Sequence, residues 1–123
     1  MTETEIREEA DKILEILISK PFAECFPLTR DFKQLPTSPG IYALKSRDEK
    51  ILYIGKSGGI RARFRSGHNA LTQAFFDRLD PTDLRIAVFV VTIQRVRLLS
   101  ELESLILQKI DKPRYNSRIP SRE

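Results

Sequence analysis

Apolar residues near the start of the chain recur at helical spacing. Ile6, Ala10, Ile13, Leu14 and Leu17 form one stripe of "TETEIREEADKILEILIS". That period predicts an amphipathic helix whose stripe must pack against the rest of the domain or a second copy of the chain. Thr2 with Glu5 three residues on predicts a capping box, and the early acids suit the positive end of the helix dipole. The next stretch, "PFAECFPLTRDFKQLPTSPG", holds four of the seven prolines and reads as an extended connection.

"GIYALKSRDEKILYIG" then changes the period. Ile41, Tyr42, Ala43 and Leu44 lead into a charged "SRDE", and Ile51, Leu52, Tyr53 and Ile54 lead out, which predicts a β-hairpin. A two-residue loop at Arg47 and Asp48 would place Tyr42 directly opposite Tyr53 on one face, Cβ atoms about 4.5–5.5 Å apart. An aromatic pair of this kind also stabilises a hairpin with no further role. Beyond it, "IRARFRS" and "ALTQAFFDRL" read as short helices. "LRIAVFVVTI" reads as a strand, expected to be the best buried, and "RVRLLSELESLILQKID" as a helix stopped near Pro113. The predicted order is helix, long connection, hairpin, two short helices, strand, helix.

Composition narrows the partners. The chain has 123 residues, enough for one domain, and a net charge of +4. Residues 1–19 hold six acids against two bases, leaving −4 there and +8 on the remainder. A basic body of that size suggests a polyanionic partner. Lys56, Arg61, Arg63 and Arg65 cluster in a stretch without acids, "KSGGIRARFRSGHN". No apolar run approaches the roughly 18 residues of a membrane span, and no secretory signal is visible. Cys25 is the only cysteine, which excludes an internal disulfide and a site built on several thiolates and fits a reducing, cytoplasmic compartment.

One acid stands out on the last helix. At about 100° per residue, Glu103 falls within the arc of Leu99, Leu102, Ile106 and Ile110, whereas Glu101 falls outside it. An inward carboxylate is costly unless paired or bound to a cation. It either forms an ion pair with a basic residue or ligates a hard divalent ion such as Mg²⁺ with waters completing the shell.

Together these residues resemble the GIY-YIG nuclease family. "GIY" at 40–42 and "YIG" at 53–55 are similar to its namesake motifs. "YIGKSGGIRARF" places the family arginine at Arg63, and "ELESLILQKIDKPRYN" places the metal-binding glutamate at Glu103 and the terminal asparagine at Asn116. The stretch between glutamate and asparagine is one residue longer than in the excision-repair members. Many members carry a histidine four residues after the arginine; here that position is Gly67, and His68 follows one place late.

The resemblance implies an α+β fold with a small three-stranded antiparallel sheet flanked by helices, to which this chain adds an N-terminal amphipathic helix. Residues 1–37 would pack on a nuclease domain at 38–118, with a basic tail at 119–123. It implies a small stand-alone member that hydrolyses DNA phosphodiesters with one Mg²⁺ (or Mn²⁺) on Glu103. Arg63 would neutralise the phosphate, and a tyrosine, Tyr42 foremost, would act as base while Tyr53 holds it or the water. Lys56 would lower the base's pKa or bind phosphate, and His68 would reach the phosphate or a tyrosine hydroxyl. Arg61, Arg65, Arg114 and Arg118 would contact DNA phosphates. Gly55 would leave space for the substrate backbone, Gly40 would free the start of its strand or serve a turn, and Asn116 would orient the chain end or cap a turn. The alternatives are a catalytically weak nucleic-acid-binding or docking module with the same fold, and a tyrosine acting as covalent nucleophile. A homodimer is a further expectation.

Overall fold

The computed structural model describes residues 1–116. Helix α1 (Glu3–Ser19) opens the chain. Its capping box forms: the Glu5 N–H donates to Thr2 Oγ1 (3.1 Å) and the Thr2 N–H donates to Glu5 Oε1 (2.8 Å). The whole predicted stripe, Ile6, Ala10, Ile13, Leu14 and Leu17, is buried within the chain's own core. Each large side chain there stabilises the fold by roughly 1.5–3 kcal/mol. That stripe is covered by the chain itself and is not left for a second copy.

Strands β1 (Phe26–Pro27), β2 (Gly40–Ser46), β3 (Ile51–Ser57) and β4 (Leu84–Val90) form one antiparallel sheet in the order β1-β4-β2-β3. The sheet therefore has a fourth strand beyond the three expected. The two residues of β1 lie in the proline-rich connection and pair Phe26 with Ile86 and Pro27 with Arg85. Proline is tolerated there because β1 is an edge. The best-buried strand is β2 rather than β4, since β2 lies between β4 and β3 and is covered on both faces.

Alternation of side chains divides the core in two. Ile41, Ala43, Ile54 and Ala87 face α1 and α4 (Leu99–Lys109). Tyr42, Leu44, Leu52 and Ile86 face α2 (Ile60–Arg65) and α3 (Asn69–Phe76). Lys45 is fully buried, yet its ammonium donates to the carbonyls of Ile18 (3.0 Å) and Lys20 (2.6 Å) and lies 3.3 Å from Glu49 Oε1. Helix α1 has no basic residue in its last turn, so Lys45 supplies from β2 the positive charge its C-terminal end favours.

The hairpin is the main departure from the sequence expectation. Its loop runs over residues 47–50, with Glu49 in the left-handed region (φ 67°) and the Glu49 N–H donating to the Ser46 carbonyl (2.9 Å). Leu44 pairs with Tyr53 and Lys45 with Ile51, so Leu52 is an extra residue in β3. The register is shifted accordingly: Tyr42 lies opposite Gly55, and the two tyrosines are diagonal neighbours on the same face.

Candidate active site

Every ring of the site sits in the layer between the sheet and helices α2 and α3. Tyr42 comes from the centre of β2 and is 1% exposed, while Tyr53 on edge strand β3 is half-buried. Their ring centroids are 6.1 Å apart. Gly55 makes this approach possible. A Cβ there would lie 2.6 Å from the Tyr42 hydroxyl and 2.7 Å from the Tyr53 ring. The space left by Gly55 is thus filled by the two phenols, not by a passing substrate. Gly40 serves strand packing rather than a turn, since a Cβ there would lie 2.3 Å from the Phe89 carbonyl oxygen.

His68 completes the cluster. Its ring stacks on Phe64 (centroids 4.6 Å, 10° between planes) and meets Tyr42 and Tyr53 edge-on at 5.5 and 5.0 Å. The histidine arrives one residue late because Gly67, at φ 97°, closes the end of α2 and turns the chain inward. His68 then caps α3, its Nδ1 accepting the Ala70 N–H at 3.1 Å. Burial first, and the Arg63 charge second, lower its pKa to about 3, so the imidazole is neutral near pH 7. With Nδ1 an acceptor, the ring proton sits on Nε2, which donates to the Tyr42 hydroxyl at 2.6 Å. His68 is therefore a donor to Tyr42 and not a base for it.

Tyr42 is held protonated. Burial is the largest cause of its raised pKa, followed by Tyr53; Glu103 adds to it, and Arg63 opposes it. The neighbouring Tyr53 hydroxyl also favours the protonated form. A buried phenol with a raised pKa is poorly suited to act as base; Tyr53 is the more solvent-accessible of the two. Arg63 is half-buried on α2, its Nη1 donating to the Gly67 carbonyl (2.8 Å), which aims the guanidinium across the α2–α3 turn.

Glu103 approaches from the other layer. It is half-buried on α4, and Glu101 is exposed, as the helical wheel requires. Burial raises the Glu103 pKa and Lys56 opposes the rise. Among the described residues its side chain makes no hydrogen bond or ion pair within 4.0 Å, so a cation is the natural compensation. No cluster of three or more His, Cys, Asp or Glu able to hold a metal occurs among the described residues. The donor set therefore fits one hard ion on a single carboxylate with water completing its shell. Lys56 alternates to this face, away from the tyrosines, so its charge acts on Glu103. The cation that opposes the rise at Tyr42 is Arg63 instead.

The remaining basic residues divide. Arg65 is exposed. Arg61 is held by the fold, its Nε donating to the Leu35 carbonyl at 2.8 Å. Arg114 pairs with Asp77 (2.8 Å) and lies over the Tyr115 ring (5.2 Å). Arg118 lies outside the described residues. Asn116 grips edge strand β3 at both polar groups of one residue: Oδ1 accepts the Ile54 N–H and Nδ2 donates to the Ile54 carbonyl, each at 2.9 Å. Sequence reasoning missed Phe64 and the fully buried Tyr115, whose hydroxyl donates to Asp77 (2.8 Å). An apolar residue amid the arginines of "IRARFR" was the available signal for Phe64.

Two phenols, a guanidinium and an inward carboxylate gathered on a small antiparallel sheet define a GIY-YIG domain. Residues 38–117 match the family profile described as a UvrC-like GIY-YIG domain, and the chain belongs to that family. It is 33% identical over 93 residues to UvrABC system protein C of Syntrophomonas wolfei subsp. wolfei, covering 72% of this chain and 15% of that protein. It is 37% identical over 93 residues to the same-named protein of Chlorobium chlorochromatii, covering 72% and 14%. The chain thus spans about 15% of the length of these curated relatives. Among solved structures it is similar to the GIY-YIG N-terminal endonuclease domain of UvrC from Thermotoga maritima, bound to its catalytic divalent cation magnesium. That likeness has 26% identity, a TM-score of 0.49, and coverage of 94% of this chain and 99% of that one. No helix among the described residues is long and apolar enough to cross a membrane.

Proposed function

We propose that the chain is a divalent-metal-dependent DNA endonuclease that hydrolyses phosphodiester bonds. The observation that carries this reading is the packing of Tyr42 and Tyr53 (ring centroids 6.1 Å apart) around His68, 2.6 Å from the Tyr42 hydroxyl, with half-buried Arg63 on α2 and the half-buried carboxylate of Glu103 on α4. Hydrolysis needs a proton acceptor for the attacking water and a positive partner for the charge that grows on the phosphate. Arg63 is the positive partner, and a preorganised donor of this kind accelerates such reactions by roughly 10²–10³. Tyr53 is the proton acceptor. Tyr42, fixed by His68 and packed beside Tyr53, positions that oxygen. Glu103 would hold the ion, magnesium as in the Thermotoga neighbour, which when bound polarises a phosphoryl oxygen and steadies the leaving oxygen. Lys56 and Arg65 would contact flanking phosphates without reading sequence. The buried lone Cys25 is compatible with a reducing, cytoplasmic setting.

The test is cleavage of a short DNA duplex with magnesium or with EDTA, with DNA binding measured in parallel. Cleavage with magnesium and none with EDTA is the expected result. Binding without cleavage in either condition would leave the catalytically weak docking module in its place.

A further inference from the structure

We infer that the segment at 28–38, which leads into the family-matched residues, is a second part of the nucleic-acid-binding surface and contributes phosphate contacts through Arg30 and Lys33. The inference rests on the nuclease reading above and deepens it.

The segment is built onto α2. Carbonyls of Ser38 and Pro36 accept the N–H groups of Ile60 (3.1 Å) and Arg61 (3.0 Å), two of the donors that a helix start leaves unpaired. The Arg61 side chain closes the same seam by donating to the Leu35 carbonyl at 2.8 Å, and Leu35 itself is buried. Arg61 is thus a positioning residue for this segment. Phe32 packs on Phe64 with ring centroids 5.6 Å apart, and Phe64 in turn meets Tyr42 at 4.9 Å. Two ring contacts therefore link the segment to the centre of the candidate site.

The local backbone is unusual. Asp31 (φ 57°) and Phe32 (φ 53°) are consecutive non-glycine residues in the left-handed region, a costly arrangement that persists only where surrounding contacts impose it. The result is a tight turn with Phe32 half-buried and Arg30, Asp31, Lys33 and Gln34 exposed. Three bases lie on the adjoining helix at Arg61, Arg63 and Arg65, and residues 56–68 contain no acid. With Asp31 counted, the segment and helix together carry a net charge of +4 from Arg30, Lys33, Arg61, Arg63 and Arg65. This excess of positive charge on the segment and its adjoining helix, next to the site of phosphodiester chemistry, fits the phosphates flanking the scissile bond.

The experiment measures binding of the full chain to a short duplex in EDTA, by fluorescence anisotropy, across a salt series. Each phosphate contact contributes about 0.9 to the slope of log K against log salt. The double variant Arg30→Ala/Lys33→Ala is expected to lower that slope by about 2 and to weaken binding roughly tenfold or more at low salt. Lys50→Ala, an exposed charge on the hairpin loop, is expected to leave the slope unchanged. A wild-type slope in the double variant, or an equal fall with Lys50→Ala, overturns the inference while leaving the nuclease reading intact. Absence of salt-dependent DNA binding by wild type overturns both.

Discussion

Replacing Gly55 with alanine adds a single methyl group at the point where both tyrosines meet. In the present geometry that carbon would lie 2.6 Å from the Tyr42 hydroxyl and 2.8 Å from its ring carbon Cζ. An ordinary carbon contact is about 3.5–4.0 Å, so the hydroxyl must retreat by about 1 Å. A shift of that size perturbs the 2.6 Å Tyr42–His68 hydrogen bond in length or alignment. Overpacking of this kind costs roughly 1–3 kcal/mol of stability. A misplacement of about 1 Å costs roughly 10²-fold in rate. Gly55→Ala is therefore expected to remain folded, to melt a few degrees lower, and to cleave duplex DNA about 100-fold more slowly at saturating substrate. Thermal unfolding and single-turnover cleavage, run on the same preparation, read both quantities. Cleavage within twofold of wild type would refute the claim that the two phenols and His68 must keep this spacing.

Three further outcomes follow from individual contacts. The His68 pKa is depressed to about 3 in the folded state, against about 6.5 unfolded, so the unfolded chain binds more protons between those values. The stability held by neutral His68 is complete above about pH 6.5 and is lost as pH falls towards 3. At pH 5 the loss is about 2 kcal/mol, and His68→Gln should shrink the difference between the urea-derived unfolding free energies at pH 7.5 and pH 5 by that amount. Asn116→Ala removes two hydrogen bonds to Ile54 and should cost about 1–3 kcal/mol, with faster hydrogen exchange at the Ile54 amide. Lys45→Met leaves the Ile18 and Lys20 carbonyls without their buried donor and should cost about 2–4 kcal/mol, with loss of protection concentrated at the end of α1.

Local rules made part of this molecule readable in advance. The α1 stripe and capping box depend only on residues within one helix, and both are present as spaced in the sequence. The inward turn of Glu103 likewise needs only the helical period. Strand alternation places Tyr42 and Tyr53 on one face, but it does not fix the register. That depended on the left-handed Glu49 and the extra residue at Leu52, neither of which has a residue signature of its own. Alternation could also have placed Lys56 on the face opposite Tyr53, three positions earlier, and so assigned its charge to Glu103.

Other features depended on distant contacts. Lys45 reads from sequence as a solvated strand residue, and only the arrival of the α1 carbonyls explains its burial. Arg61 resembles its exposed neighbours until the Leu35 carbonyl meets it. The two-residue β1 was hidden by proline, which argues against a strand unless the position is an edge.

The most direct measurement is single-turnover cleavage of a DNA duplex in magnesium by wild type, Arg63→Ala and Glu103→Gln, with folding checked by circular dichroism and DNA affinity measured for each. If both charges serve one reacting phosphate, each variant stays folded, still binds DNA and loses roughly 10²–10³-fold or more in rate. Folded variants that cut as fast as wild type would contradict the assignment of this site to phosphodiester hydrolysis.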